Sequence, residues 1–200
     1  MRPLLLLLSF FSTLALAQTQ ESPKIIKEQN GKITNYRVDG SLASTQTVGC
    51  IPLVQAKNTF TPPDLYKGVV ECLGKDDYES SAKLFALAGI FARFDAERIT
   101  DKSAGQAKTV LIMNTFSNLS ADKKTRFNEA LNHIAKTPEL LGKLCEEVKQ
   151  IGMPNYYPSY MILHGIKAFT GNPNEGALVK DLDSSAAWKN LQSGYLHCPS

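Results

Sequence analysis

Leu84-Phe85-Ala86-Leu87-Ala88-Gly89-Ile90-Phe91-Ala92 is a run of residues that are all apolar or glycine. Asp76 or Asp77 stands upstream as a helix cap, so the run falls inside the longest predicted helix. A helix that is apolar on every side is a buried one. Its small residues, Ala86, Ala88, Gly89 and Ala92, admit neighbouring helices at close range. The stretch therefore predicts a central helix with other helices wrapped around it.

Helical signals continue on both sides. Pro62-Pro63-Asp64 opens a helix carrying Leu65, Val69 and Cys72, and Gly74 closes it. A third helix is expected over 103–116, with Ala107, Val110, Leu111 and Asn114 facing inward. Ser120 caps a fourth with a stripe of Phe127, Ala130, Leu131 and Ile134. Thr137-Pro138-Glu139 supplies a cap, a first-position proline and a first-turn acid for a fifth, which buries Leu140, Leu141, Leu144 and Val148 and stops at Gly152. Pro158 opens a sixth over 159–169, bearing Met161, Ile162 and Ile166, and a last segment over 183–195 carries Ala187, Trp188 and Leu191. The predicted fold is all-α, an irregular bundle of six to seven helices, or stacked helical hairpins.

The N-terminal part reads differently. Arg2, the apolar core Leu4 to Leu8 with Phe10, Phe11, Leu14 and Leu16, and the small-x-small Ala15-Leu16-Ala17 make residues 1–17 a signal peptide with Gln18 as the new N-terminus. The apolar run falls short of the roughly 20 residues that span a bilayer, and no later stretch is apolar enough for stable membrane insertion. Residues 18–61 form a β-hairpin and an irregular linker, and 62–200 the helical domain. The hairpin signal is Asn30-Gly31 between the β-prone runs 25–28 and 33–38. Such a hairpin is marginal alone and must lean on the body or on a partner.

Removal of the leader leaves 21 basic against 19 acidic residues. That near-balance argues against recognition of nucleic acid or anionic lipid by bulk charge. All four cysteines, Cys50, Cys72, Cys145 and Cys198, follow the leader. An even count in an exported chain favours two disulfides. Three pairings are possible, and Cys50–Cys72 with Cys145–Cys198 is preferred because each pair bridges neighbouring segments. The spacing lacks C-x-x-C, and His197 beside Cys198 is too little for a metal site.

Lys75-Asp76-Asp77-Tyr78-Glu79-Ser80-Ser81-Ala82-Lys83-Leu84-Phe85-Ala86-Leu87-Ala88 resembles the joint between helices of a tetratricopeptide or Sel1-like repeat, with Tyr78, Ala82, Phe85 and Ala88 in the characteristic places. No second copy follows at a period of about 34–36 residues. The resemblance implies a protein-binding scaffold of irregularly stacked hairpins.

Local catalytic motifs are missing. His133, His164 and His197 belong to no H-E-x-x-H or G-x-S-x-G pattern, and no cofactor motif is found. Tyr160 and His164, four apart on one predicted helix, could pair as hydrogen-bond partner and base, but no third group orients them. Asp95 and Arg98 have the i, i+3 spacing of a surface or rim salt bridge that could present charge to a partner. Tyr156-Tyr157-Pro158-Ser159-Tyr160 is a tyrosine-rich turn suited either to contact or to sealing helix ends. Lys123-Lys124-Thr125-Arg126 reads as a solvated run, and Asn118-Leu119-Ser120 as a glycosylation acceptor in a eukaryotic host. The candidate partner-binding residues are Tyr156, Tyr157, Tyr160, His164, Asp95 and Arg98.

The reading that follows is an exported, periplasmic or secreted, helical module that binds another protein. The chain is similar in type to periplasmic immunity proteins, which neutralise delivered toxins, in size, export signal, disulfide potential and missing catalytic motifs. The alternatives are a hydrolase assembled from distant residues and an envelope scaffold or assembly factor.

Overall fold

The computed structural model describes residues 23–30 and 33–199. The expected signal peptide, and Gly31 of the expected hairpin turn, lie outside the described residues. Two antiparallel strands, β1 (Ile25–Asn30) and β2 (Ile33–Val38), precede α1 (Pro62–Gly74), α2 (Tyr78–Arg98), α3 (Ala107–Phe116), α4 (Ala121–Lys136) and α5 (Pro138–Ile151). Two single-turn helices, α6 (Ser159–Ile162) and α7 (Lys167–Thr170), then lead to α8 (Ser184–Gly194). The chain is an all-α bundle with a small β-hairpin.

α2 is the axis, packed by α1, α3, α4 and α8. Leu84, Leu87, Ala88, Ile90 and Phe91 are wholly buried, as an all-round apolar helix requires. Aromatic rings extend its reach on two sides. Phe85 meets Tyr66, Phe116 and Phe127 edge-on at 5.3–5.8 Å, joining α1, α3 and α4. Phe91 and Phe94 each lie 5.8 Å from Trp188, which holds α8. Burying each such ring stabilises by about 1.5–3 kcal/mol. Gly89 is required for a close approach: a Cβ there would fall 2.0 Å from the Tyr195 hydroxyl.

Helix ends follow their caps. The Asp77 carboxylate accepts from the Ser80 N–H, Ser120 from Lys123 and Asp183 from Ala186. Thr137 departs from the expected capping role, since its side chain makes no cap hydrogen bond, although Pro138 opens α5 as expected.

Two expected helices are broken. The third is split into a 3₁₀ turn, Lys102–Gln106, and α3, with Gly105 near the junction and the Asp101 carboxylate capping the turn. Asn114 is exposed there, and the buried positions are Ala107 and Leu111. The sixth is divided into α6 and α7 because side chains elsewhere capture its backbone. Ser103 Oγ accepts from the Ile166 N–H and Asp101 Oδ2 from the Lys167 N–H, both at 2.9 Å.

Residues 39–61 form an ordered wrap around the start of α1. The hairpin leans on the body through Val38, which is wholly buried, and the turn after it through the Leu42 N–H, which donates to the Tyr160 carbonyl at 3.0 Å. Cys50 pairs with Cys72 and Cys145 with Cys198, fastening this wrap to α1 and the C-terminal tail to α5. The bridges suit an oxidising compartment. No helix among the described residues is long and apolar enough to cross a membrane.

The closed loops span 22 and 53 residues. Loop-closure entropy assigns them about 3 and about 4 kcal/mol respectively. Serine replacement of both cysteines in one pair should lower the urea midpoint more for Cys145/Cys198 than for Cys50/Cys72. The opposite order would show that loop entropy does not set the contribution.

Candidate functional site

Four of the six residues singled out in the sequence converge. Asp95 is on the last turns of α2 and is completely buried. Its Oδ1 accepts from Arg98 Nη2 at 2.6 Å and Nε at 2.9 Å, and its Oδ2 accepts from the hydroxyls of Tyr160 at 2.7 Å and Tyr156 at 3.0 Å. Arg98 Nη2 also donates to the Tyr156 carbonyl at 2.9 Å. Both oxygens of one carboxylate are thus satisfied, which a buried charge requires.

This corrects the expectation for the pair. Asp95–Arg98 lies deeper than a surface pair, with side-chain exposures of 0% for Asp95 and 15% for Arg98, and the carboxylate is closed off from solvent. The i, i+3 spacing was legible, but the depth was not, because depth depends on a segment some 60 residues away. Burial pushes the Asp95 carboxyl up from the ordinary aspartate range, while Arg98 and the two tyrosine hydroxyls pull it down. Burial and the Asp95 charge together raise the Tyr160 and Tyr156 phenols well above 10.0, so both remain donors. Enclosed in this way, Asp95 is a clasp between α2 and the 156–160 segment.

The remaining two candidates lie apart from the clasp. Tyr157 is 46% exposed, with its hydroxyl donating to Asn174 Oδ1 at 3.2 Å. His164 falls past the end of α6 and shares no helix with Tyr160. Its Nδ1 is 3.1 Å from Ser41 Oγ, and burial lowers its pKa below 6.5. A serine and a histidine at that distance could serve as nucleophile and base. Here the serine is 8% exposed, and the following N–H, of Leu42, is committed to the Tyr160 carbonyl. The pair joins the hairpin to the helical body.

Two further carboxylates, buried Asp64 and half-buried Asp101, anchor backbone in ways the sequence did not show. Asp64 accepts from the N–H groups of Thr45, Gln46 and Thr61 and from the hydroxyls of Ser44 and Thr61, at 2.7–2.9 Å. It caps α1 and holds the 44–46 wrap at once. The signal was present as Thr61-x-x-Asp64, a capping box in which aspartate replaces the usual glutamate. Asp101 accepts from the N–H and hydroxyl of Ser103 as well as from Lys167. Gly165 packs so tightly against it that a Cβ would lie 2.4 Å from Asp101 Oδ2.

Between them, Asp95, Asp101 and an isolated bridge from Ile99 to Leu178 hold the 156–178 segment from behind. Its outer side presents Tyr157, Ile166 at 66% and Phe169 at 40% exposure. Among the described residues one trio, Cys50, Cys72 and Asp77, has metal-like spacing, but both sulfurs are consumed in the disulfide. The chain matches no protein-family model, no curated protein and no solved structure.

Burial alone would raise the Asp64 carboxyl. The Gln46 N–H, the Ser44 hydroxyl and the two Thr61 donors outweigh it and hold the carboxyl below 3.8. A depressed folded value means stability that is present above the ordinary value and lost as pH falls through the folded one. Asp64→Asn should therefore cost about 1–3 kcal/mol at neutral pH. Its melting temperature should converge on that of the unaltered chain below the ordinary 3.8. Parallel melting curves across the acid range would contradict the assignment.

Proposed function

We propose that this chain is an exported, periplasmic or secreted, helical module that recognises another protein through its 156–178 segment. The observation that carries this reading is the pairing of outward Tyr157, Ile166 and Phe169 with a backbone fixed from behind by Asp95, Asp101 and Ser103. Large apolar side chains on a preordered loop are what a recognition surface needs: they supply contact area at little ordering cost. The segment has little regular structure, and its three large apolar side chains are left uncovered within the chain. Two disulfides and a tripartite leader support work outside the cytoplasm.

The specific form proposed is an immunity protein whose partner is a toxin delivered to the envelope. Size, leader and disulfides support it, and Tyr157 of the tyrosine-rich turn contributes to the contact. A hydrolase built on the Ser41–His164 pair is disfavoured by the occupied Leu42 N–H beside Ser41.

The test uses the full chain and a variant combining Tyr157→Ala, Ile166→Ala and Phe169→Ala. A protein captured from envelope extract by the unaltered chain should be purified, and its affinity measured against both forms. Binding should weaken by about a hundredfold or more in the variant, since central anchors contribute roughly 2 kcal/mol or more each. Thermal stability should stay close to that of the unaltered chain, because these side chains are exposed. For the immunity form, the captured partner should be toxic when exported and silenced by co-expression of this chain. Equal affinity for both forms would reject the segment as the recognition surface.

A further inference from the structure

A cleft of about 660 Å³ opens between α2, the 3₁₀ turn, α3 and α8, lined among others by Arg93, Glu97, Lys102, Lys108, Thr109 and Leu191. Its size is that of a small-molecule pocket, and it shares no lining residue with the clasp or the 156–178 segment. Three cations and one acid line it. Lys102 is already committed, its Nζ donating to the carbonyls of Ala96, Glu97 and Ile99 and closing the end of α2.

Arg93 and Lys108 are not so committed. Among the described residues neither has a carboxylate within ion-pair distance, Glu97 included. Arg93 is fixed from behind. Its guanidinium carbon sits 3.6 Å from the centroid of the Tyr195 ring, and Nη1 donates to the Gly89 carbonyl at 3.2 Å. Tyr195 in turn occupies the notch that only glycine at position 89 leaves open. That arrangement orients the guanidinium while leaving most of its five N–H donors free. Lys108 stands in the first turn of α3, where the helix field opposes a cation. Burial lowers its ammonium below the ordinary lysine range, and the neighbouring Arg93 charge lowers it further, against a weaker pull from Glu97.

Two like charges lining one cleft with spare donors form an arrangement that an oxyanion relieves. The guanidinium supplies a planar fork and the ammonium a point charge, a complementary pair for a group carrying several oxygens. We propose that this cleft binds a small multivalent oxyanion, a phosphate or carboxylate compound, through Arg93 and Lys108. The site is distinct from the protein-recognition surface and does not depend on it.

The test is calorimetric titration of the oxidised full chain at low ionic strength, with inorganic pyrophosphate in one arm and citrate in the other. Saturable one-to-one binding is expected in at least one arm, and the tighter arm identifies phosphate or carboxylate as the preferred group. Lys108→Gln should weaken it about tenfold or more, as loss of a charge-assisted contact does. Lys124→Gln, on α4 and outside this cleft, should leave it unchanged. Lys108→Gln should also raise the melting temperature of the unliganded protein, by removing a charge that opposes Arg93, which shows independently that the variant folds. No saturable binding in either arm, or equal loss in the Lys108 and Lys124 variants, would overturn the proposal.

Discussion

A single buried carboxylate, that of Asp95, ties the segment that begins at Tyr156 to the end of α2. Removing such a charge from water costs several kcal/mol, and it is tolerable only when every lone pair meets a donor. Arg98 provides two donors from the same helix, and Tyr156 and Tyr160 provide one each from a segment distant in sequence. Because the two tyrosines must arrive together, the chain after α5 is drawn across the end of α2. The course of residues 156–160 over that helix end meets this requirement.

Other anchors work on the same principle. Asp101 and Ser103 take the backbone N–H groups of Lys167 and Ile166, and so interrupt a helix that local pattern alone would continue. Asp64 does for the N-terminal wrap what Asp95 does for the later segment. Irregular backbone is thus fixed by carboxylates placed at helix ends, while the helices themselves rest on apolar burial around α2. The division leaves side chains such as Tyr157, Ile166 and Phe169 outward on a held frame.

Local signals made much of the fold legible. The apolar run 84–92 announced the central helix, and Ser120 and one of the pair Asp76 and Asp77 announced two helix starts, because caps act within a few residues. The favoured cysteine pairing is the one present, since each bridge joins segments that the helix order already brings close. What could not be read was long-range. Asp95 looked like half of a surface or rim pair because nothing nearby in sequence shows that Tyr160 covers it. The break between α6 and α7 was invisible because its cause lies at positions 101 and 103. The Arg93–Lys108 cleft was missed for the same reason, its two cations lying on different helices.

Amide hydrogen exchange in the Asp95→Asn variant tests the central claim most directly. The substitution keeps the side-chain shape but turns an N–H toward groups that are themselves donors. If the carboxylate positions the later segment, amides within 156–170 should lose protection while those of α1 and the first turns of α2 retain it. Unchanged protection over 156–170, or a uniform loss across all helices, would contradict the account.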